Sequence, residues 1–265
     1  MQLKGIDISH WQKGLNLAQA KVERNLDFVI IKAGGGDGKK GVYKDSEFDN
    51  FYNQAKNAGL HVGAYYYCKF TDEASCDKQA QHFIQLLAGK QFDMPVYADI
   101  EENAMYALGA EKLTALTVRF CEQVEKAGYY VGIYTSESSF KSRFKTYDIA
   151  RFTFWVARWN KTGPNMVHPM WQYGGETNLV ESNKICGIIV DQDYCYVDFA
   201  SAIIRKKLNG YGVEVAPKKK TSAEIAQEVL RGDWGNGDER KERLTAAGYN
   251  YRTIQNAVNK LKKGV

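Results

Sequence analysis

The stretch Met94-Pro95-Val96-Tyr97-Ala98-Asp99-Ile100-Glu101-Glu102-Asn103 decides the fold class, because a short apolar run ends abruptly in acids there. Its alternation predicts a β-strand whose two faces are Val96, Ala98 and Ile100, and Tyr97, Asp99 and Glu101. Same-face neighbours on a strand lie about 6–7 Å apart, so both carboxylates are expected to point the same way. Burying two unpaired acids at the end of a strand costs free energy. Catalysis that divides acid and base roles between two carboxylates is a common reason for keeping such a pair. An acidic turn after a buried strand explains this stretch alone about equally well.

Two other apolar runs also carry acids where a strand is expected to end. Residues 4–12 place Asp7 and Ser9 on one face of a predicted strand, and residues 187–194 run from apolar positions into Asp191. In a parallel barrel the carboxyl ends of all strands open on the same side, where the active site lies. The sequence therefore predicts one acidic pocket built from three strand ends. Either Asp191 or Asp193 can face it, and Asp191 is preferred because it directly follows the apolar run.

Amphipathic segments between the predicted strands complete the prediction of the fold class. Apolar residues recur at helical spacing over about 48–55, 80–87 and 113–124, whereas beyond about residue 150 the strands continue without helices. Strands that alternate with helices indicate an α/β architecture. We therefore predict an irregular TIM-like (β/α) barrel with a small C-terminal three-helix module.

The ordered set of motifs resembles glycoside hydrolase family 25, the lysozymes (N-acetylmuramidases) of bacteria and phages. The matching segments are residues 5–12, 28–33, 58–67, 99–101, 132–135, 155–159, 171–173 and 190–191. There are departures. Gly34-Gly35-Gly36-Asp37 stands where the family often has Thr-Glu-Gly, three tyrosines stand at 65–67 where a His often lies between aromatics, and Asp193 replaces a frequent Asn.

The resemblance implies roles for individual residues. Glu101 becomes the general acid, and Asp99 the carboxylate that holds the substrate's 2-acetamido group as that group attacks the anomeric carbon. Asp7 and Asp191 are implied to orient the acetamido group and water. The side-by-side acids favour this substrate-assisted route over a nucleophile on the opposite sugar face.

Aromatic residues near the predicted strand ends are candidates for sugar binding. The chain has 13% aromatic residues, and flat rings pack well against sugars. The residues predicted to line a carbohydrate cleft are Trp11, Tyr66, Tyr134 and Trp171. Tyr66 and Tyr134 are also expected to donate hydrogen bonds to the acetamido group. The other aromatic residues are assigned to packing.

The composition argues against disulfide bonds, a metal site, a cofactor and a membrane span. Five Cys without paired spacing predict reduced thiols, and four scattered His predict no metal site and no cofactor. No apolar stretch reaches the length of a membrane span, and residues 1–4 run directly into the first strand without a signal-like segment. We therefore expect synthesis in the cytoplasm of the host without a signal peptide, followed by action on the cell wall after release.

The composition of the chain changes near residue 207, where Gly, Pro and Lys become frequent. We predict a catalytic barrel over 1–206, a Gly/Pro/Lys linker over 207–220, and a separate unit over 221–265. That unit resembles the CW_7 cell-wall-binding repeat through its Trp234-Gly235-Asn236-Gly237 and Gly248-Tyr249 motifs. The resemblance implies wall binding by Trp234, Asn236, Arg240 and Tyr249.

Charge divides between the same two regions. Residues 1–200 carry 22 basic and 24 acidic side chains, and the remaining 65 carry 14 and 7. A basic tail suits the anionic bacterial wall, and no nucleic-acid motif or membrane partner is indicated. A single repeat predicts modest affinity, or self-association that supplies further copies.

Together these features predict a phage-type endolysin that cleaves the β-1,4 bond between N-acetylmuramic acid and N-acetylglucosamine of peptidoglycan. Two alternatives stay open. One is a chitinase-like enzyme on another N-acetylhexosamine polymer, which would also use paired strand-end carboxylates. The other is a non-catalytic glycan-binding barrel, against which the presence of Glu101 argues.

Overall fold

The computed structural model describes residues 2–38, 41–175, 182–212 and 220–263. The chain divides into two compact units, Met1–Val213 and Glu214–Val265, and each is described here by itself.

The large unit is a closed barrel. Its strands are β1 (Leu3–Ile8), β2 (Phe28–Gly36), β3 (Val42–Lys44), β4 (His61–Tyr67), β5 (Val96–Asp99), β6 (Val131–Ser136), β7 (Thr153–Ala157), β8 (Met170–Gly174), β9 (Lys184–Ile185), β10 (Ile188–Ile189) and β11 (Asp191–Cys195). Within the described residues, eight of them form a ring in the order β1-β2-β4-β5-β6-β7-β8-β11, and β11 pairs again with β1. Strand β3 extends the wall beside β2, and β9 and β10 form a separate hairpin.

Helices cover the outside of the ring. They are α1 (Leu17–Arg24), α2 (Phe48–Asn57), α3 (Glu73–Leu87), α4 (Asn103–Tyr106), α5 (Ala110–Lys126), α6 (Glu137–Arg143), α7 (Thr146–Ile149) and α8 (Phe199–Arg205). Side-chain caps mark where several begin: Asn16 accepts from the backbone N–H of Gln19, and Asp72 accepts from that of Ser75. The predicted irregular TIM-like barrel is confirmed.

Strand β5 separates two apolar layers. Val96, Ala98 and Ile100 are buried between the strands and the helices, whereas Tyr97 packs inside the barrel against Trp155, with ring centroids 5.3 Å apart. The two faces predicted for this strand are therefore correct. The polar face turns its last residues toward the mouth of the barrel, which is the end where β5 finishes.

Strand β11 reaches the mouth in a different way from the one predicted. It runs antiparallel to both β8 and β1, so that Asp191 begins this strand rather than ending one. Residues 188–189, which the sequence suggested as the preceding part of the strand, belong to the β9–β10 hairpin. Reversal of the strand brings its first residue to the same end of the barrel as the last residues of its parallel neighbours.

The barrel unit continues past the predicted domain boundary. Asn209 is fully buried, its side chain accepts from the backbone N–H of Tyr130 at 2.6 Å, and it donates to the carbonyl of Met94 at 2.9 Å. Residues 207–212 are thus part of the barrel, and their assignment to a linker was wrong. Residues 213–219 of that linker lie outside the described part of the chain.

The small unit consists of three helices, as predicted: α9 (Ser222–Arg231), α10 (Gly237–Ala246) and α11 (Tyr251–Lys263). Thr221 caps α9 through a reciprocal capping box with Glu224. Its core contains Ile225, Ala226, Val229, Leu244, Ile254 and Val258. Among all the helices with described coordinates, none combines the length and apolar character that crossing a lipid bilayer requires.

Candidate active site

The mouth of the barrel holds a small acidic cavity of about 70 Å³. Its walls are Asp7, Tyr65, Asp99, Glu101, Tyr134, Trp155, Gln172 and Asp191. Strands β1, β4, β5, β6, β7, β8 and β11 each contribute at least one of these residues or the residue that follows the strand. The structure thus brings together the four predicted catalytic acids, which are far apart in sequence.

Asp99 and Glu101 differ in their access to solvent. Asp99 is 3% exposed, and within the described residues its Oδ1 atom has no hydrogen-bond partner. Glu101 follows the end of β5 and is open to solvent within the cavity. A substrate atom entering the mouth therefore meets Glu101 first and Asp99 behind it.

The acids at the mouth resist ionisation. Burial raises the pKa of Asp99 well above its ordinary value, and the charge of Glu101 raises it further. The crowding of protein around the cavity also raises the pKa of Glu101, although the ammonium of Lys32 opposes this effect. Carboxyl groups held close together in a low dielectric do not all ionise, so the pair retains a proton at a pH where ordinary acids have lost theirs.

Asp7, Asp191 and Asp193 form a second acidic group across the mouth. Asp7 and Asp191 are paired in register on β1 and β11, and burial followed by the charges of Asp193 and Asp191 raises the pKa of Asp7. Asp193 is 0% exposed and accepts from the indole N–H of Trp155 at 2.7 Å, while its Oδ2 atom has no partner among the described residues. Asp191 lines the cavity and Asp193 lies beneath it, which agrees with the preference for Asp191.

Gln172 is a central residue of the site that the sequence analysis missed. Its amide donates to Asp7 Oδ2 at 2.9 Å, and its carbonyl oxygen accepts from the Tyr134 hydroxyl at 2.9 Å and from the Trp159 indole at 3.1 Å. Gln172 thereby fixes one acid and two aromatic residues at once. The signal was present, since a polar residue stands between two aromatic residues, Trp171 and Tyr173, in a buried strand.

Two predicted sugar-binding residues do not face the cavity. Tyr66 is fully buried between the strands and the helices, where its hydroxyl is 3.0 Å from His82 Nδ1 and its ring packs on Phe83. Trp171 lies on the outer side of β8 and donates to the carbonyl of Arg158. Side chains alternate along a strand, so the residues that face inward are their neighbours Tyr65 and Gln172.

The other two predicted aromatic residues lie at the mouth. Tyr134 lines the cavity, but its hydroxyl proton is donated to Gln172 rather than left for a substrate. Trp11 lies on the short 3-10 helix after β1, is 78% exposed and packs against His10 with the rings tilted and their centroids 4.7 Å apart. His10 is held in turn by Asp45 at 2.8 Å. The prediction of a sugar-binding role for Trp11 and Tyr134 stays open.

A wider cavity of about 380 Å³ adjoins the acidic one. Its walls are Glu101, Tyr106, Tyr134, Ser136, Ser139, Ala157, Trp159 and Gln172. Glu101, Tyr134 and Gln172 belong to both cavities. A chain of sugars that extends from one cavity into the other would therefore place the glycosidic bond between them next to the carboxyl group of Glu101, which could donate a proton to it.

In the small unit, the predicted wall-binding residues mainly hold the module together. The Trp234 indole donates to Glu228 at 3.0 Å, and its ring lies edge-on to Tyr249. Arg240 donates to the carbonyl of Gly235 and to the side chain of Asn236. Wall binding by these residues remains a prediction. Within the described ranges, no group of three or more His, Cys, Asp or Glu side chains is placed to hold a metal ion.

Comparison with known proteins gives two family matches. The sequence model of glycosyl hydrolases family 25 matches residues 6–182, and that of the CW_7 repeat matches residues 223–261.

Individual relatives give the same picture. The chain is 28% identical over 164 residues to the autolytic lysozyme of Clostridium acetobutylicum, covering 62% of this chain and 47% of that protein. It is 31% identical over 206 residues to lysozyme M1 of Streptomyces globisporus, covering 70% and 68%. The chain thus spans about half of the first relative and two thirds of the second. The crystal structure of the CTP1L endolysin is similar in fold, with a TM-score of 0.63, 19% identity and coverage of 99% and 100%.

Proposed function

Since the chain belongs to glycosyl hydrolases family 25, we propose that it cleaves the β-1,4 bond between N-acetylmuramic acid and N-acetylglucosamine of peptidoglycan. The observation that carries this proposal is the cavity at the mouth of the barrel, where Asp99 and Glu101 share one side of a space bounded by Asp7 and Asp191. Retaining and inverting glycosidases both depend on a pair of carboxyl groups whose environments separate their roles.

Glu101 is assigned as the general acid. It is accessible from the solvent side of the cavity, it borders both cavities, and the raised pKa of its carboxyl lets it keep a proton at a higher pH than an ordinary glutamic acid does. In this role it protonates the glycosidic oxygen as the bond to the anomeric carbon breaks. A correctly placed general acid contributes typically 10²–10⁴-fold to the rate.

Asp99 is assigned to the substrate's 2-acetamido group. Asp99 lines the cavity and its Oδ1 atom has no hydrogen-bond partner within the described residues, so this carboxylate can accept an amide N–H from a substrate in the cavity. Such a bond favours the ionised form of Asp99 and so leaves the proton of the pair on Glu101. The acetamido oxygen then attacks the anomeric carbon on the face opposite to the leaving group, and water opens the resulting ring with net retention.

The remaining wall residues orient the reacting groups. Asp7 is held by Gln172, and Asp191 faces it across the β1–β11 pair, so the two can direct the acetamido group and the incoming water. Tyr65 takes the hydrogen-bonding role first assigned to Tyr66, because it lines the cavity and its hydroxyl makes no hydrogen bond within the described residues. Trp11 and Trp159 supply exposed ring faces at the rim.

The product of digestion tests the reaction. Purified cell walls are treated with the protein, and the soluble fragments are reduced with borohydride and analysed by mass spectrometry. New reducing ends at N-acetylmuramic acid support the proposal. Ends at N-acetylglucosamine, or rapid cleavage of chitin oligosaccharides with intact peptidoglycan left uncut, would assign the chain to a different glycosidase. No new ends at all would indicate a glycan-binding barrel.

For the small unit we propose binding to the cell wall, as the CW_7 match and the excess of basic residues beyond residue 200 suggest. Release of the protein from its host cell and lysis at the wall belong to the same proposal. The boundary after Gly212 gives the appropriate truncation, because residues 207–212 complete the barrel. Truncated protein is expected to cut soluble wall fragments normally and to bind intact walls less well as salt rises. Equal binding by both forms would contradict a targeting role.

The number of repeats bears on how strongly the small unit binds. One repeat supports modest affinity, whereas association of several chains would raise avidity without new contacts. Sedimentation of the full-length protein and of the isolated small unit distinguishes the two cases. A strict monomer at the concentration used for wall binding rules out self-association.

A further inference from the structure

Lys32 is a buried cation next to the active site that the roles above do not use. It stands on the inward face of β2, the same face as Ile30 of the inner core, and is 9% exposed. Within the described residues, no carboxylate oxygen lies within 4.0 Å of its ammonium, although 17 ion pairs of that length are formed elsewhere. An ammonium is expensive to bury without a close partner, so its retention here requires a reason.

Three tyrosine rings surround this ammonium instead. The centroids of Tyr67, Tyr65 and Tyr43 lie 4.4, 5.8 and 6.0 Å from Lys32 Nζ. Aromatic faces attract a cation without sharing a proton with it. The nearest ring is fixed from outside, because the Tyr67 hydroxyl donates to Glu102 Oε1 at 2.7 Å and Glu102 pairs with Lys69 at 2.7 Å. The cage thus holds the ammonium at a set distance from the acids.

The charges that face Lys32 come from every neighbouring element. Asp99 and Glu101 lie at and beyond the end of β5, Asp45 follows β3, Lys69 follows β4, and Asp7 stands on β1, the other neighbour of β2. The ring nearest to the ammonium, that of Tyr67, belongs to a residue paired in register with Asp99 across β4 and β5, and Asp99 attracts the ammonium more strongly than Glu101 does. The same cation therefore acts unequally on the two acids of the catalytic pair.

We propose that Lys32 is a positioning residue that stabilises the carboxylate form of Asp99 and so leaves the proton of the acid pair on Glu101. The inference rests on the proposed function for its consequence in catalysis, but the position of the proton can be measured without substrate. By burial alone Asp99, the deeper of the two acids, would keep the proton. The positive charge of Lys32 favours loss of the proton from Asp99. The hydrogen bond from the bound acetamido group favours it further, so that the proton of the pair stays on Glu101.

The tyrosine cage explains why a lysine without an ion pair serves this purpose. A carboxylate in direct contact would neutralise the ammonium and reduce its effect on Asp99. Rings that carry no net charge hold the cation in place while leaving its field available to the acids. Lys90 shows the contrast. It also lies over two rings, those of Phe48 and Tyr52, but Asp49 lies 3.0 Å from its ammonium.

The test compares Lys32→Met, Lys32→Arg and the matched control Lys90→Met in the full chain. Lys32→Met is expected to move the acidic limb of the pH–rate profile to higher pH by about one unit, which corresponds to a loss of about 10-fold in kcat/KM at a fixed pH on that limb. Lys32→Arg keeps the charge and is expected to retain most of the activity and the position of the profile. Lys90→Met is expected to leave the profile in place.

Carbon-13 NMR titration of the Asp99 and Glu101 carboxyl groups provides the readout that does not depend on substrate. In Lys32→Met the pKa of Asp99 is expected to rise more than that of Glu101. Equal shifts, or no shift, with a folded variant would overturn the inference even if the wild-type protein proves to be a muramidase. If wild type cuts no peptidoglycan, the proposed function fails while the NMR comparison still decides the role of Lys32. Thermal unfolding is recorded first, and Lys32→Gln replaces Lys32→Met if the latter is unfolded.

Discussion

Buried aspartates at the two ends of the barrel have opposite environments, and their pKa values are shifted in opposite directions. At the end where the parallel strands begin, Asp93 binds His61 Nδ1 and the backbone N–H of Val62, both at 2.7 Å, and these bonds outweigh burial so that its pKa is lowered. At the mouth, Asp99 and Asp193 each keep a buried oxygen without a hydrogen-bond partner among the described residues, and their pKa values are raised.

This difference assigns the aspartates at one end of the barrel to stability and those at the mouth to function. The paired Asp93 joins neighbouring strands and stabilises the end where the parallel strands begin, whereas at the mouth the incompletely paired Asp99 lines the cavity and is available to a ligand. Barrel enzymes generally place catalysis at the end where the parallel strands finish, which agrees with this division. Substitutions at the two ends should therefore have opposite signatures, one in activity and the other in stability.

The largest expected effect is at the mouth. Glu101→Gln should reduce the rate of wall cleavage by about 10²–10⁴-fold, because the amide cannot supply the proton. Stability should not fall, since a carboxyl with a raised pKa is removed. The rate of release of reducing ends and the thermal midpoint measure both. Glu111→Gln, on the exposed side of α5, is the control. More than about a tenth of the wild-type rate in Glu101→Gln would contradict the general-acid role.

Asp99→Asn should cost about 10²-fold or more in rate, since the amide cannot stabilise the positive charge that develops as the acetamido group attacks. The residual activity should still yield products of retained anomeric configuration. Proton NMR of the first products reports that configuration. Inversion in the wild-type reaction would refute substrate assistance and make Asp99 a candidate base for water.

At the opposite end, Asn209→Ala should lower the free energy of unfolding by about 3 kcal/mol, because a buried N–H of Tyr130 and a buried carbonyl of Met94 lose their partner. Asn209 also has a φ of 54°, which alanine adopts less readily than asparagine. Urea unfolding gives the value. The exposed Asn160→Ala is expected to change stability by less than about 0.5 kcal/mol. A similarly small effect at Asn209 would show that residues 207–212 are dispensable to the barrel.

Asp193→Asn should stabilise the protein at pH 7 by about 1 kcal/mol or more, the equivalent of roughly one unit of pKa. The pKa of Asp193 is raised in the folded state, chiefly by burial, so its contribution to stability is lost as pH rises above the unfolded value of about 4. The gain should therefore vanish near pH 3. A variant that is less stable at pH 7 would indicate that the carboxylate makes a contact the amide cannot replace.

The smallest effect concerns the His61–Asp93 pair. The bond to Asp93 raises the pKa of His61, so the stability it contributes is complete below about pH 6.5 and is lost as pH rises through the raised folded value. The lowered pKa of Asp93 gives stability above about pH 4 that is lost as pH falls further. Thermal midpoints should thus decline from pH 5.5 to 8.5, and His61→Asn should flatten that decline. If the thermal midpoint of His61→Asn declined with pH as steeply as that of wild type, the His61–Asp93 pair would not contribute to stability at this end of the barrel.

The sequence predicted what repeats along the chain. Alternation of apolar and polar residues located β5 and both of its faces, and the helical spacing of apolar residues located the main helices. The acids that follow apolar runs in the sequence, Asp7, Asp99, Glu101 and Asp191, are acids that line the cavity. These signals are local, and each derives from the burial of one side of an element.

What the sequence did not predict depends on contacts between distant segments. Tyr66 lies one position away from the residue that faces inward, because the run of three tyrosines at 65–67 has no alternation to set its phase. At Trp171 the alternation is present, and the inward-facing residue is the polar Gln172 between two aromatic residues. Lys32 is the one charged residue of β2, and only the fold places it beside Asp99. Asp191 lies at the mouth although the direction of β11 was predicted wrongly, because the first residue of a reversed strand and the last residue of a parallel strand lie at the same end of the barrel.

The pairing of β1 with β11 also has a consequence for the order of folding. These strands join parts of the chain about 185 residues apart in a single register, in which Asp7 lies directly opposite Asp191. Contacts at such sequence separation form slowly, and like charges across a strand pair oppose each other. We expect the other ring strands to associate first and this pairing to form last. Mild acid, which neutralises one of the opposed carboxylates, should accelerate that final step.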